Sequence, residues 1–173
     1  RIAPEIHNSR FIDKSLKELG LKKLTLPPFA SGLLNLKFNE DELLMGLKKK
    51  WRYDLRKGEL NKISTITTSG DNHNIEVLLK NYNLLQERQG FVGISNTLIV
   101  SLAKQVSDEW EFSLLISDDC DIKNPNSPLG MLVYIRHGDT ATYLIGITSN
   151  QGKSLNINYV LLWQAILSAK RDG

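Results

Sequence analysis

The sequence predicts an α/β or α+β domain built on one mixed sheet with flanking helices. Three observations carry this. Segments read in the order strand, helix, strand, helix, helix. Three strand-like runs then follow at 111–116, 129–136 and 140–147, the last two joined by the tight turn His137-Gly138-Asp139, which makes a central antiparallel meander. A helix that is apolar almost all round comes last, at 155–171. No strand leads into Gly-x-Gly-x-x-Gly, so a dinucleotide-binding fold is not indicated.

Taken in order, residues 11–19 read as a short helix closed by Gly20, and 21–26 as a strand ended by Pro27-Pro28. Residues 33–38 alternate apolar and polar, as a half-buried strand does. Asn39, with Glu42 three residues later, forms a capping-box pattern that opens a helix. Leu43, Leu47, Trp51 and Leu55 recur on one face of it, Lys48, Lys49, Arg52 and Arg56 on another, and Gly58 weakens its end. Residues 63–68 are β-branched-rich and close on a turn at 69–72. A helix at 75–88 carries Leu78, Tyr82 and Leu85 on one face; Gly90 and Gly93 break it. Ser95 or Asn96 caps a further helix to about residue 106. Residues 118–128, with two prolines, read as an exposed loop. A buried helix rarely ends a domain at its own C′ glycine, so Gly173 directly after the last helix predicts a following strand and a larger parent protein.

The bulk numbers fit one domain with a sizeable core: 173 residues, 41% hydrophobic and 24% charged. A net charge of +3 suits a phosphate-bearing partner without requiring one. The single cysteine, Cys120, excludes an internal disulfide framework and a cysteine-rich metal site, and its neighbours Asp118, Asp119 and Asp121 disfavour a thiolate. No metal site is expected. His7, His73 and His137 are isolated and read as solvated. No apolar run approaches the roughly 20 residues of a membrane helix, and no signal-peptide pattern is visible, so the expected compartment is the cytoplasm.

Three segments point further. They are Lys49-Lys50-Trp51-Arg52-Tyr53-Asp54-Leu55-Arg56-Lys57, then Leu84-Leu85-Gln86-Glu87-Arg88-Gln89-Gly90-Phe91, then Tyr143-Leu144-Ile145-Gly146 followed by Leu161-Leu162-Trp163-Gln164-Ala165-Ile166. The element order is like the GNAT acyltransferase fold. The three segments together resemble the FemABX family, the aminoacyltransferases that build peptidoglycan cross-bridges, over residues 33–173. Departures stand beside the match. Leu85 and Gln86 replace the family's Thr or Ser, Asn96-Thr97-Leu98 replace its Tyr-Phe, and its Asp-x-Gly-Gly strand does not occur.

The resemblance implies an enzyme that moves an amino acid from aminoacyl-tRNA to the stem-peptide amine of a nucleotide- or lipid-linked peptidoglycan precursor, in peripheral contact with the inner membrane face. It implies that residues 1–25 are the tail of a preceding domain or a linker. Residues 26–173 would be a second GNAT-like domain lacking its C-terminal strand or strands. The substrate-binding candidates are Arg52, Arg56, Arg88 and Tyr143. Arg52 and Arg56 read equally as a phosphate clamp and as the solvated face of an amphipathic helix, and Arg88 as a substrate contact or an ion-pair partner of Glu87 or Glu111. Trp51 and Trp163 read as core.

The resemblance places the donor segment at Ser149, Asn150, Gln151 and Gly152, in the turn that corresponds to the GNAT pyrophosphate cradle, and a helix N-terminus attracts anions. GNAT enzymes that use coenzyme A carry Gln/Arg-x-x-Gly-x-Gly/Ala there. Ser154 stands where glycine is needed, which favours another donor, such as aminoacyl-tRNA, and no cofactor. No catalytic residue is assigned, since orientation and oxyanion stabilisation can supply most of the rate of aminoacyl transfer. Two alternatives remain: a GNAT-type N-acyltransferase using an acyl thioester on a small amine or sugar, and a non-catalytic GNAT-like binding module.

Overall fold

A computed structural model describes residues 10–22, 31–69, 71–105, 110–117, 119–122 and 124–171. The chain divides into two units, Arg1–Asn35 and Leu36–Gly173. In the first, α1 (Arg10–Glu18) is followed by Gly20 at φ 76°, the left-handed conformation that ends a helix at least cost in glycine. The strand expected at 21–26 lies mostly outside the described residues; 21 and 22 are irregular. The strand expected at 33–38 does not form. Residues 31–35 are irregular, 36–38 bend, and Leu33 is 92% exposed. Alternation there meets no partner strand among the described residues, and a strand's hydrogen bonds need one.

The second unit opens with α2 (Glu40–Gly46) and α3 (Lys49–Leu60). Asn39 and Glu42 form the expected reciprocal cap, both bonds at 2.9 Å. The single helix expected here is broken at Leu47 and Lys48, where the backbone turns extended. The Arg52 guanidinium bridges the break. It donates to the Met45 carbonyl at 2.9 Å and to that of Leu47, satisfying acceptors that α2 leaves open at its C-terminus.

Next come β1 (Thr65–Thr68), α4 (Asn72–Gln89) and α5 (Asn96–Lys104). Helix α4 starts three residues earlier than expected because Asp71 caps it, accepting from the Asn74 amide at 2.9 Å. Gly90 ends it at φ 66°, and Ser95 caps α5. The remaining elements are β2 (Trp110–Ser117), β3 (Cys120–Asp121), β4 (Asn124–Pro128), β5 (Gly130–His137), β6 (Thr140–Thr148), α6 (Asn150–Ser154) and α7 (Ile157–Arg171). The expected loop at 118–128 thus holds a small two-stranded ladder, β3–β4. The last helix is two helices, parted where Asn156 takes φ 57°.

The main sheet has the order β1-β2-β5-β6. The predicted fold class stands, with the meander β2-β5-β6 at its centre. Every pairing among the described residues is antiparallel. Alternation along the strands divides the core between two faces. Phe112, Leu114, Ile116, Met131, Val133, Ile135, Ile145 and Ile147 pack against Ile75, Leu78 and Tyr82 of α4 and Ile99 of α5. Leu115, Leu132 and Tyr134 turn the other way, onto α7, with Leu43 and Leu55 behind it. A bulge in β6 sets Val133 opposite Ile145 but Tyr134 opposite Tyr143, which brings Tyr143 to the α7 face. Gly58 is explained by packing. A Cβ there would stand 2.6 Å from Val160 Cγ2 and 2.9 Å from the Asn156 carbonyl, so α3 meets α7 backbone to side chain.

Candidate functional site

An open cleft of about 1110 Å³ lies on the α4 face of the sheet edge, between α4, the β3–β4 ladder and the β6–α6 turn. Its polar lining includes Asn81, Arg88, Asp121, Ser127, Ser149 and Gln151. Arg88 is exposed in the last turn of α4, where a cation suits the helix C-terminus. No hydrogen bond or ion pair from the described residues engages its side chain, and Glu111, one of its expected partners, pairs with Arg136 at 3.2 Å. Arg88 is therefore available to a ligand.

The rest of the polar lining is held by bonds within the fold. Asn81 is buried; it donates to the Val77 carbonyl at 2.8 Å and accepts from Ser127 Oγ at 2.5 Å. Gln151 Oε1 accepts from the Ile122 amide at 2.8 Å, tying α6 to the β3–β4 ladder.

The donor segment is largely committed to the structure. Ser149 Oγ accepts from the Gly152 amide at 3.0 Å, and the Ser149 amide donates to Leu129 O at 3.0 Å. Gly152 is buried, and a Cβ there would collide with the Leu129 carbonyl. The Ser154 hydroxyl donates to Gln151 O at 2.7 Å. The Gly152 amide, one of those at the start of this helix, is thus already bonded. Asn150 is exposed and lines the cleft; Gly152 does not line it.

The structure therefore gathers Arg88 with Ser149, Asn150 and Gln151. Arg52 and Arg56 sit on α3 and line neither this cleft nor the second cavity. Arg52 is half-buried in its α2 capping role, while Arg56 is exposed. Tyr143 lines the second cavity, about 230 Å³, with Asn158, Leu161 and Leu162. Its hydroxyl covers Gly146, and burial raises its phenol above the ordinary value of 10.0. Trp51 stacks edge-on against Tyr159 and Trp163, at 5.5 and 6.3 Å, as core. His137 contacts Thr142 Oγ1 at 2.8 Å beside its turn. Among the described residues no three His, Cys, Asp or Glu side chains come together as a metal site would require, and no helix is long and apolar enough to cross a membrane.

Sequence reasoning missed Asn81, Asp121 and Ser127. For Asn81 a signal existed: an amide beside the Leu78–Tyr82–Leu85 stripe of a helix. Asp121 and Ser127 had none, because the ladder that places them was read as a loop.

An antiparallel sheet with helices on both faces, a meander at its centre and a helix after its last strand is a GNAT-like architecture. Among solved structures, a crystal structure of FemX is similar to this chain with a TM-score of 0.64 at 16% identity, over 95% of this chain and 58% of that one. The FemABX resemblance drawn from the residues is thus borne out at the level of the fold, and the chain spans 58% of the FemX chain's length. No family model and no curated protein matches the sequence.

Proposed function

We propose that the chain is part of a FemABX-like aminoacyltransferase. Residues 26–173 form its second GNAT-like domain and residues 1–25 the tail of the first or a linker. The carrying observation is the likeness in fold to FemX over 95% of the chain. The reaction joins a stem-peptide amine to the carbonyl of an aminoacyl-tRNA ester. A C–N bond forms, the C–O bond to the terminal ribose breaks, and the amine's proton passes to the leaving ribose oxygen. No protein nucleophile is needed, which suits a cleft without an assigned base. Arg88 supplies a bidentate grip on a phosphate of the nucleotide- or lipid-linked precursor. The work is done in the cytoplasm, at the inner membrane face where that precursor is used. Ser154 in place of the motif's glycine, with the Gly152 amide already bonded, speaks against coenzyme A as donor.

The test pairs transfer with binding. Radiolabel should move from aminoacyl-tRNA to a UDP-linked muropeptide. Arg88→Lys should weaken muropeptide binding by about 1–3 kcal/mol, the scale of a hydrogen bond to a charged group, with an unchanged melting temperature. Coenzyme A binding at or below about 10 μM, with no response to the muropeptide, would replace this reading by the thioester one.

A further inference from the structure

The charge of this chain is concentrated on one element. Residues 48–62 carry seven Lys or Arg and two acids, so this stretch holds more positive charge than the whole chain's net +3, and the remainder is net negative. The structure sorts that charge by face. The inner face of α3 is used up: Leu55 and Gly58 are buried, Trp51 packs on Tyr159 and Trp163, and Asp54 is paired to Lys50 at 3.3 Å. Arg52 is engaged with α2. The outer face carries Lys49, Tyr53, Arg56 and Lys57, all exposed, with Lys48 just before it. Among the described residues no hydrogen bond or ion pair engages the side chains of Lys48, Lys49 or Arg56. Lys57 Nζ stands 4.9 Å from the centre of the Tyr53 ring, which is 57% exposed.

We infer that this outer face of α3 binds the phosphate backbone of RNA. Lys49 lies four residues before Tyr53, and Arg56 and Lys57 three and four after it, so cations flank one aromatic ring along one side of the helix. That is the arrangement suited to an unpaired polynucleotide end: cations for successive phosphates and a ring on which a base stacks. An anionic membrane is less well served. An interfacial helix buries an apolar face in lipid, and the apolar face of α3 is already spent on α7. The face lines neither the cleft nor the cavity beside Tyr143. That the RNA is a tRNA rests on the aminoacyltransferase reading; that it is a polyanion with bases rests on the helix.

The probe is deacylated tRNA, titrated by fluorescence anisotropy across a salt series, which needs no transfer activity. A variant with Lys49→Gln, Arg56→Gln and Lys57→Gln should bind at least about tenfold more weakly near 0.1 M salt. Its log–log salt slope should be shallower by about 2–3, close to one per lost phosphate contact. The loss should be the same for unrelated RNA sequences, and the melting temperature should not move, since all three side chains are exposed. Tyr53→Leu should weaken a single-stranded end more than a blunt duplex. Equal binding by wild type and variant overturns the inference, as does absence of RNA binding. Binding to phosphatidylglycerol–cardiolipin vesicles that the variant loses, without RNA binding, assigns the face to membrane instead. Transfer may fail while RNA binding and its loss hold, and then only the aminoacyltransferase reading falls.

Discussion

The two faces of the sheet share their strands but are closed by different means. On the α7 face, one long helix lies across Leu115, Leu132 and Tyr134, and α3 lies over it through a glycine contact and the Trp51–Tyr159–Trp163 stack. Polar ties finish it: Asn61 Nδ2 donates to Leu155 O at 3.0 Å, and Lys170 Nζ to Leu36 O at 3.0 Å. On the α4–α5 face the packing is mostly aliphatic around Tyr82 and Phe112, and its edge opens into the 1110 Å³ cleft, where Asn81 and Ser127 bond to each other. The first face keeps only the small cavity beside Tyr143 and carries the exposed cations of α3 on its outer side. The second leaves Arg88 and Asn150 exposed at a cleft whose other polar groups are largely bonded within the fold. A ligand site on this scaffold belongs where the packing stops short.

If both faces are true cores, single truncations at their centres should cost alike. Leu78, fully buried on the α4 face, and Leu161, 1% exposed on the α7 face, are the matched pair. Each change to alanine should destabilise by about 2–5 kcal/mol in chemical denaturation. A cost below about 1 kcal/mol at Leu78 alone, well short of that range, would mean that the open face relaxes around a void and the comparison fails.

A smaller effect separates helix propensity from packing. Alanine is the better helix former by about 1 kcal/mol, so Gly58→Ala would stabilise a solvated α3. Here its Cβ meets Val160 and the Asn156 carbonyl, and overpacking should dominate, for a net loss of about 1–3 kcal/mol. A gain would show that α3 shifts freely on α7. Smaller again is Arg52→Met, which keeps the stem and removes the donors to Met45 and Leu47. Its expected cost is about 1 kcal/mol, with muropeptide binding unchanged. Weakened binding with an unchanged melting temperature would return Arg52 to the substrate site.

The same contrast marks how far the sequence could be read. Capping signals placed the helix starts at Asn39 and Ser95, glycine placed the stop at Gly90, and the meander was visible in its runs and its His137-Gly138-Asp139 turn. These are local signals. What escaped reading was set by tertiary contact. Gly58 looked like a weakness and is a contact point. Arg52 looked free and is a cap. The alternation at 33–38 found no partner strand among the described residues. The cleft was half legible: Arg88 and the 149–151 turn were named, but the residues they face come from a ladder that composition marked as loop.

The smallest effect concerns a cap on the open face. Asp71 accepts from the Asn74 amide at 2.9 Å and from Asn74 Nδ2 at 2.6 Å, and these bonds to the ionised carboxylate hold its pKa below the ordinary 3.8. A depressed carboxyl pKa gives stability that is complete above the unfolded value and is lost as pH falls through the folded one. Asp71→Asn keeps a capping acceptor but has no proton to bind. The other carboxylates titrate alike in both proteins and cancel in the difference. The melting temperature of the parent should therefore fall relative to Asp71→Asn as pH drops below about 4, the ordinary aspartate range, and the gap should be flat near neutrality. Parallel curves throughout would mean that Asp71 caps α4 through geometry alone, with no contribution from its charge.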